Sequence, residues 1–341
     1  MSFNEYNHID NNYKFFEWSL VKEVIANETL EYVALEKIHG TNFSLIAVES
    51  ENSNIEIHCC RRGDILKPTE KFFGSDTISA RYSEDVKKVF KETSSLIENK
   101  LHKPIKQIQL YGELYGGMYP GTEKVKNAKL VQKGIYYSNT NEFSAFDIKY
   151  TLEDDTSYFL DWDEFEQVMS STSIHIVPIL CKGSWENVTS LSTKFESVVH
   201  ETFCLPKLEE NYAEGYVIKP IKEIQLDKEH RFICKCKNPS FSEIVQNDKT
   251  SLKIKETSTV VNPYAERLDA YVNENRYNNV KAKIVENTPV NQLVDMFHND
   301  VWTDFIDDLN TDNIVLNAAE TRELKKRLNV LANKFVRSRY H

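Results

Sequence analysis

Up to Lys237 apolar residues fall mainly on alternate positions or in short runs, and beyond Pro263 they recur every third or fourth residue. The stretch 31–49 reads as strand, turn, strand: apolar and β-branched residues broken by His39-Gly40-Thr41-Asn42. Strands are also predicted at 55–60, 107–114, 142–150, 212–219 and 232–237. Helices are predicted at 83–100, where Val86, Val89, Phe90 and Leu96 keep helical spacing, at Trp162–Met169 and at 188–200. Residues 250–261 are polar and β-branched, Pro263 ends them, and they read as a linker. From Ala265 the pattern is helical, and Leu324, Leu328, Leu331 and Phe335 share one face with basic residues around the other side. The outline is an α+β domain over 1–249, a linker over 250–263 and a small all-helical domain over 264–341, with no internal repeat.

At 341 residues the chain has room for such a pair of domains, and 40% hydrophobic residues suffice for their cores. A net charge of −10 argues weakly against a nucleic-acid partner. That average hides two basic segments, with nine Lys or Arg against five acids over 219–255 and seven against two over 320–341. Together they would make a phosphate-binding face; singly each reads as a solvated face. The six cysteines have neither zinc-site spacing nor good bridging geometry, which fits free thiols in a reducing compartment. The polar segment 1–12 has no apolar signal region, and no run approaches the ~20 apolar residues of a membrane span. These features predict a soluble intracellular protein, whether cytoplasmic, organellar or viral.

The densest chemistry lies in Glu36-Lys37-Ile38-His39-Gly40-Thr41-Asn42-Phe43. Lys37 stands where a strand gives way to a turn, and Gly40 would take φ > 0 and admit a ligand to the backbone. Desolvated or crowded by cations, the amine would lose its proton and become a nucleophile. Lys-x-x-Gly alone reads as a surface lysine in a turn. The longer string resembles the nucleotidyl-lysine motif of polynucleotide ligases and capping enzymes. With His39 in place of the usual aspartate, it resembles the RNA ligase 2 family, which includes a bacteriophage RNA ligase and the kinetoplastid RNA-editing ligases. The resemblance continues through Glu113 in Tyr111-Gly112-Glu113, Phe146-Asp147-Ile148, Glu214-Gly215-Tyr216-Val217-Ile218-Lys219 and Lys235-Cys236-Lys237-Asn238, then Phe241-Ser242-Glu243.

The resemblance implies a nucleotidyltransferase domain of antiparallel sheets flanked by helices, with a helical C-terminal domain. It implies an ATP-dependent RNA ligase that carries AMP on Lys37 and uses Mg²⁺, with Mn²⁺ an alternative. The RNA would be a nicked duplex or bridged ends, read by shape. Lys235 and Lys237 share a strand face and would grip the α-phosphate and depress the Lys37 pKa. Glu214 would hold the metal, since a hard cation takes a carboxylate plus phosphate oxygens. The role of Lys219, on the opposite strand face, stays open. Glu113 and Asn42 would meet the ribose, Phe146 would stack on adenine, and backbone groups of Glu36 and Ile38 would read its edge. Arg62 would pin a phosphate or the ribose, although Gly63-Asp64 follows it where relatives carry Thr-Gly. His39 would assist AMP transfer or simply hold the turn. Phe72-Phe73 would face RNA beside the reactive ends or plug a loop. Arg276, in Asn275-Arg276-Tyr277, would help seal nicks. Two rivals remain: a capping guanylyltransferase using GTP, against which His39 and the helical tail speak, and a non-catalytic RNA-binding subunit that keeps the fold.

Overall fold

The computed structural model describes residues 1–341 apart from 51, 53, 229, 242–263, 285–287, 312, 313 and 341. The chain forms two compact units, Met1–Pro239 and Ser240–His341. The expected linker at 250–263 and the matched Ser242 and Glu243 lie outside the described residues.

The first unit contains β1 (Asp10–Asn11), β2 (Tyr32–Glu36), β3 (Thr41–Glu49), β4 (Ile55–Arg61), β5 (Asp64–Ile65) and β6 (Ile105–Gly116). It continues with β7 (Asn141–Leu152), β8 (Ser157–Phe159), β9 (His175–Ile176), β10 (Ile179–Gly183), β11 (Gly215–Pro220) and β12 (Cys234–Lys237). One sheet runs β1-β12-β11-β2-β10 and the other β5-β4-β3-β6-β7-β8, with β9 on β7. The architecture is α+β. Most pairs are antiparallel, as expected, but β1–β12 and β7–β9 are parallel. These two short contacts link segments distant in sequence, so local patterning carries no sign of them.

Alternation assigns the two faces of the larger sheet. The helix Ser75–Leu101 packs on one face through buried Ile78, Tyr82, Val86, Val89 and Phe90. It starts before the expected residue 83, because Gly74 at φ 76° supplies the left-handed entry and Ser75 and Ile78 are buried. On the other face, buried Gln107 and Gln109 hold an extended segment with their side-chain amides. Ser2 N donates to Gln107 Oε1 at 2.8 Å, Gln107 Nε2 donates to Ser2 O at 2.6 Å, and Asn4 N donates to Gln109 Oε1 at 3.1 Å. The smaller sheet buries Tyr32, Ala34, Tyr216, Ile218, Cys234 and Cys236 against Phe15, Val21 and Val188. Full burial of one such Phe or Val contributes about 1.5–3 kcal/mol.

The helix expected at 188–200 is absent. A helix at Trp185–Thr189 ends there, and a 3₁₀ turn follows at Val199–Phe203. Ser190 Oγ donates to Asn187 O and Ser192 Oγ to Lys194 O, so the hydroxyls satisfy local carbonyls and compete with helix propagation. The second unit has helices Ala265–Asp269, Glu274–Lys281, Val290–Thr311 and Ala318–Arg337. Leu324, Leu328, Leu331 and Phe335 are buried as the periodicity predicts, and Phe335 stacks on Phe297 at 5.7 Å. No described helix is long and apolar enough to cross a membrane.

Candidate active site

β2 and β3 do not pair with each other. They belong to different sheets, so the segment carrying Lys37 crosses from one sheet to the other. Its peptide groups are pinned from several sides. Lys37 N donates to Gly215 O at 2.9 Å, His39 N to the Tyr137 hydroxyl at 2.7 Å and Gly40 N to Glu113 Oε1 at 3.1 Å. Gln132 Nε2 donates to Gly40 O at 3.1 Å. Gly40 does not use the positive φ expected of it. It is required for close approach, since a Cβ there would stand 2.3 Å from Leu114 O and 2.9 Å from the Glu113 side chain.

Glu214, just before β11, is 2% exposed and lies between two ammonium groups. Lys37 Nζ is 2.8 Å from its Oε2 and Lys237 Nζ is 3.1 Å from its Oε1. His39 Nδ1 also approaches Oε2, at 3.2 Å. Burial opposes charge on this carboxyl, but Lys37, Lys237 and His39 outweigh it and hold its pKa well below the usual range. The carboxylate between the two amines offsets the repulsion expected between Lys37 and Lys237. Lys37 is 23% exposed, so this ion pair can be reached and opened. Lys235 keeps the face of Lys237, while Cys234 and Cys236 face the core.

Glu113 shares this cluster. Burial pushes its carboxyl up to about 8; Lys37, the Gly40 N–H and Arg62 oppose that rise and Glu214 adds to it. Asn42 lies directly opposite Glu113 in the β3–β6 ladder, so both side chains leave the same face. Arg62 tops the tight turn between β4 and β5 and meets Glu5 at 3.4 Å. Phe146 is half-buried, edge-on to Tyr6 at 5.0 Å, in a cluster with Tyr111, Ile233 and Val217. Tyr6 also donates to Asp147 Oδ2 at 2.8 Å. Consecutive strand residues normally face opposite ways. Here the register steps from Tyr111↔Asp147 to Gly112↔Ala145, and Phe146 is the extra residue of a bulge that lets both neighbours reach Tyr6. Gly112 suits that bend, because a Cβ would collide with the Phe143 ring at 2.3 Å.

Other expected residues are placed differently. Phe72 is 2% exposed and stacks on Phe43, so it is a core residue and only Phe73 of the pair is partly open. Arg276 is 1% exposed and its guanidinium is held by Asp300 at 2.6 Å and Asp304 at 2.9 Å, which leaves no open face for RNA. The Glu36 N–H donates to Pro178 O at 2.8 Å and is not open to an adenine edge, and Ile38 is 3% exposed. The Glu36 carboxyl is raised to about 7 by burial, and its Oε1 has no hydrogen-bond partner. Lys219 lies in a second buried cluster, 2.8 Å from Asp147 Oδ1, with Arg231 2.7 Å from Oδ2. Tyr6, Gln132, Tyr137 and Arg231 were not singled out from sequence. Asp147, inside the matched Phe146-Asp147-Ile148 string, was a signal for Tyr6 and Arg231, which bond its carboxylate; Gln132 and Tyr137 had none.

Among the described residues no three His, Cys, Asp or Glu side chains converge as a metal cage. Of the carboxyls in this cluster Glu214 is the one held ionised, and it fits a hard cation that takes one carboxylate and completes its shell with phosphate and water.

Comparison with known proteins gives the family. The RNA ligase family model matches residues 30–237, more than half of the chain, and the T4 RNA ligase 2 C-terminal model matches 255–334. The mitochondrial RNA-editing ligase 2 of Trypanosoma brucei brucei is 26% identical, over 82% of this chain and 77% of that protein. RNA-editing ligase 1 of the same organism is 26% identical over 60% of this chain, which spans only 47% of its length. A Naegleria gruberi RNA ligase mutant solved with ATP and Mn is 14% identical, with a TM-score of 0.43 over 69% of this chain and 56% of that one. By the family-model match, the chain belongs to the RNA ligase family.

Proposed function

We propose that this protein is an ATP-dependent RNA ligase that seals 3′-hydroxyl and 5′-phosphate ends through an AMP-bearing Lys37. The observation that carries the reading is the Lys37–Glu214–Lys237 arrangement, in which a reachable amine and a second cation share one buried carboxylate. In the first step Lys37 leaves Glu214, gives up a proton to solvent, and its lone pair attacks the α-phosphorus of ATP. An N–P bond forms, the bond to pyrophosphate breaks, and pyrophosphate leaves. Charge develops on phosphate oxygens, so Lys235 and Lys237 act by electrostatic stabilisation. Glu214 would hold Mg²⁺ or Mn²⁺, which when bound neutralises charge on the phosphates.

Phe146 stacks on adenine, and Glu113 and Asn42 bond the ribose hydroxyls. Arg62 exchanges Glu5 for the nucleotide. An oxygen of the RNA 5′-phosphate then attacks the AMP phosphorus, the Lys37 N–P bond breaks and a phosphoanhydride forms, with His39 beside the reacting group; the 3′-hydroxyl attacks the 5′-phosphorus, its proton passes to solvent, and AMP leaves as the phosphodiester closes. The duplex-nick substrate rests on the motif resemblance and on the trypanosome relatives, which are named RNA-editing ligases. Incubation with ATP labelled at the α-phosphate should leave label on the denatured wild type and none on Lys37→Ala. Label from GTP alone would indicate a capping enzyme. Label from neither, after pyrophosphate treatment to strip bound AMP, would indicate a binding protein.

A further inference from the structure

The connection between β6 and β7, residues 117–140, carries four lysines, Lys124, Lys126, Lys129 and Lys133, against one acid, Glu123. All four lysines are exposed. Among the described residues Lys124, Lys126 and Lys133 form no ion pair. Elsewhere exposed lysines often have acidic partners: Lys100 meets Asp161 and Glu164, and Lys222 meets Asp161 and Asp163. An uncompensated cationic edge is therefore a local feature of a chain whose net charge is −10.

This edge is bonded to the nucleophile turn on one side and held beside Gly74 on the other. On one side buried Gln132 donates to Gly40 O at 3.1 Å, and buried Tyr137 accepts from His39 N at 2.7 Å. Lys133 is thus the exposed neighbour of a residue bonded to the nucleophile turn. On the other side Asn141 clamps the Lys129 peptide, accepting from Lys129 N at 3.0 Å and donating to Lys129 O at 2.7 Å. The same Asn141 side chain lies within van der Waals reach of Gly74, next to partly open Phe73. The segment is further fixed by Val131 N to Gly116 O and by a two-point bond between the Tyr136 peptide and Asn211. The lysines are therefore displayed on a held backbone that runs from the Lys37 turn to Phe73.

We infer that Lys124, Lys126 and Lys133 form a phosphate-binding edge that grips the backbone of the RNA being joined and leads its end to Lys37. The occupant is a polyanion with regularly spaced charges, and phosphodiesters beside the reacting end meet that need by charge and by continuity with the site. The inference rests on the RNA ligase reading. Lysine contacts of this kind add affinity without sequence preference and release counterions, so binding weakens as salt rises.

The test uses the full chain with K124Q, K126Q and K133Q combined. A nicked RNA duplex with a 5′-phosphate is titrated at several salt concentrations, and label from ATP is measured separately. The expected result is unchanged labelling, roughly tenfold or greater loss of RNA affinity near 0.1 M salt, and a salt slope shallower by about 1 per lost phosphate contact. Lys→Arg at the same three positions should restore affinity and slope. Wild-type affinity and slope in the triple variant would overturn the inference. So would a parallel fall in labelling, which would assign the segment to the nucleotide instead. If the wild type itself takes no label from ATP, the ligase reading fails, and that outcome is distinct from either.

Discussion

The first unit holds two buried carboxylates built to one plan and put to different use. Glu214 has a cation on each oxygen, Lys37 and Lys237, and a third contact from His39. Asp147 likewise has Lys219 and Arg231 on its two oxygens and a third contact from Tyr6. Access separates them: Lys37 and Lys237 are 23% and 12% exposed, whereas Lys219 and Arg231 are 2% and 1%. Charge separates them too. Arg231 also pairs with Glu223, so the Asp147 cluster closes to neutrality, two cations against two anions. Around Glu214 two cations face one ionised carboxylate, and the neighbouring Glu113 is raised to about 8, neutral at physiological pH. A closed, neutral cluster is a fastener. An accessible one with a cation in excess invites an anion, which is what a nucleotide phosphate supplies.

The sharpest way to break this comparison is to remove both carboxylates in turn. Asp147→Ala leaves fully buried Lys219 without its carboxylate and Arg231 with Glu223 alone, and should destabilise the fold by about 3–5 kcal/mol in urea denaturation. Glu214→Ala should cost far less stability yet lower adenylation by roughly 100-fold or more. Equal destabilisation by the two would erase the distinction between fastener and site. A smaller effect is expected at Lys237→Gln, where the excess cation is lost: ATP-dependent thermal stabilisation should shrink, with binding weaker by about tenfold.

Titration separates the two clusters further. Burial resists ionisation of Asp147, but Arg231 and Lys219 win and lower its pKa. Its contribution is therefore complete above the unfolded value of about 4 and is lost as pH falls through the lower native value. Glu113 runs the other way. Between its unfolded pKa of about 4.3 and its native value of about 8 the folded state holds a proton that the unfolded chain has released. Stability should fall as pH rises through that window; Glu36, raised to about 7 by burial, adds to the fall below that value, so Glu113→Gln should flatten the slope chiefly between about 7 and 8 while impairing nucleotide use. An unchanged slope between about 7 and 8 in Glu113→Gln would place that titration elsewhere. The smallest expected effect is Tyr6→Phe. Loss of its bond to Asp147 should cost about 1 kcal/mol and leave the ring against Phe146, so KM for ATP should move less than in Tyr6→Leu.

Much of the site was legible because its chemistry lies in contiguous strings. Lys37 to Asn42 span one crossing segment and the start of β3, Lys235 and Lys237 share one strand face, and Glu214 directly precedes a strand. Strand and helix periods likewise placed most elements, because burial on one face leaves a repeat of two or of three to four residues. The errors came where a local pattern has several tertiary outcomes. Phe72-Phe73 reads the same whether exposed or plugged, and the structure buries Phe72 on Phe43. Arg276 reads as a free cation until Asp300 and Asp304, distant in sequence, close on it. The helix expected at 188–200 failed because serine hydroxyls competed for backbone carbonyls.

By itself, then, the sequence determined the α+β outline, the family and the string of residues around Lys37. Short-range physics governs these features: alternation, turn chemistry and neighbouring functional groups. Only the tertiary structure decided that β2 and β3 enter different sheets, that a bulge at Phe146 brings two consecutive side chains to Tyr6, and that Gly40 serves close approach instead of a positive φ. It alone decided which of two similarly composed carboxylates remains open to a ligand. Exposure and net local charge depend on residues more than a hundred positions apart meeting in space, as Lys37 and Glu214 do, and no local pattern encodes that meeting.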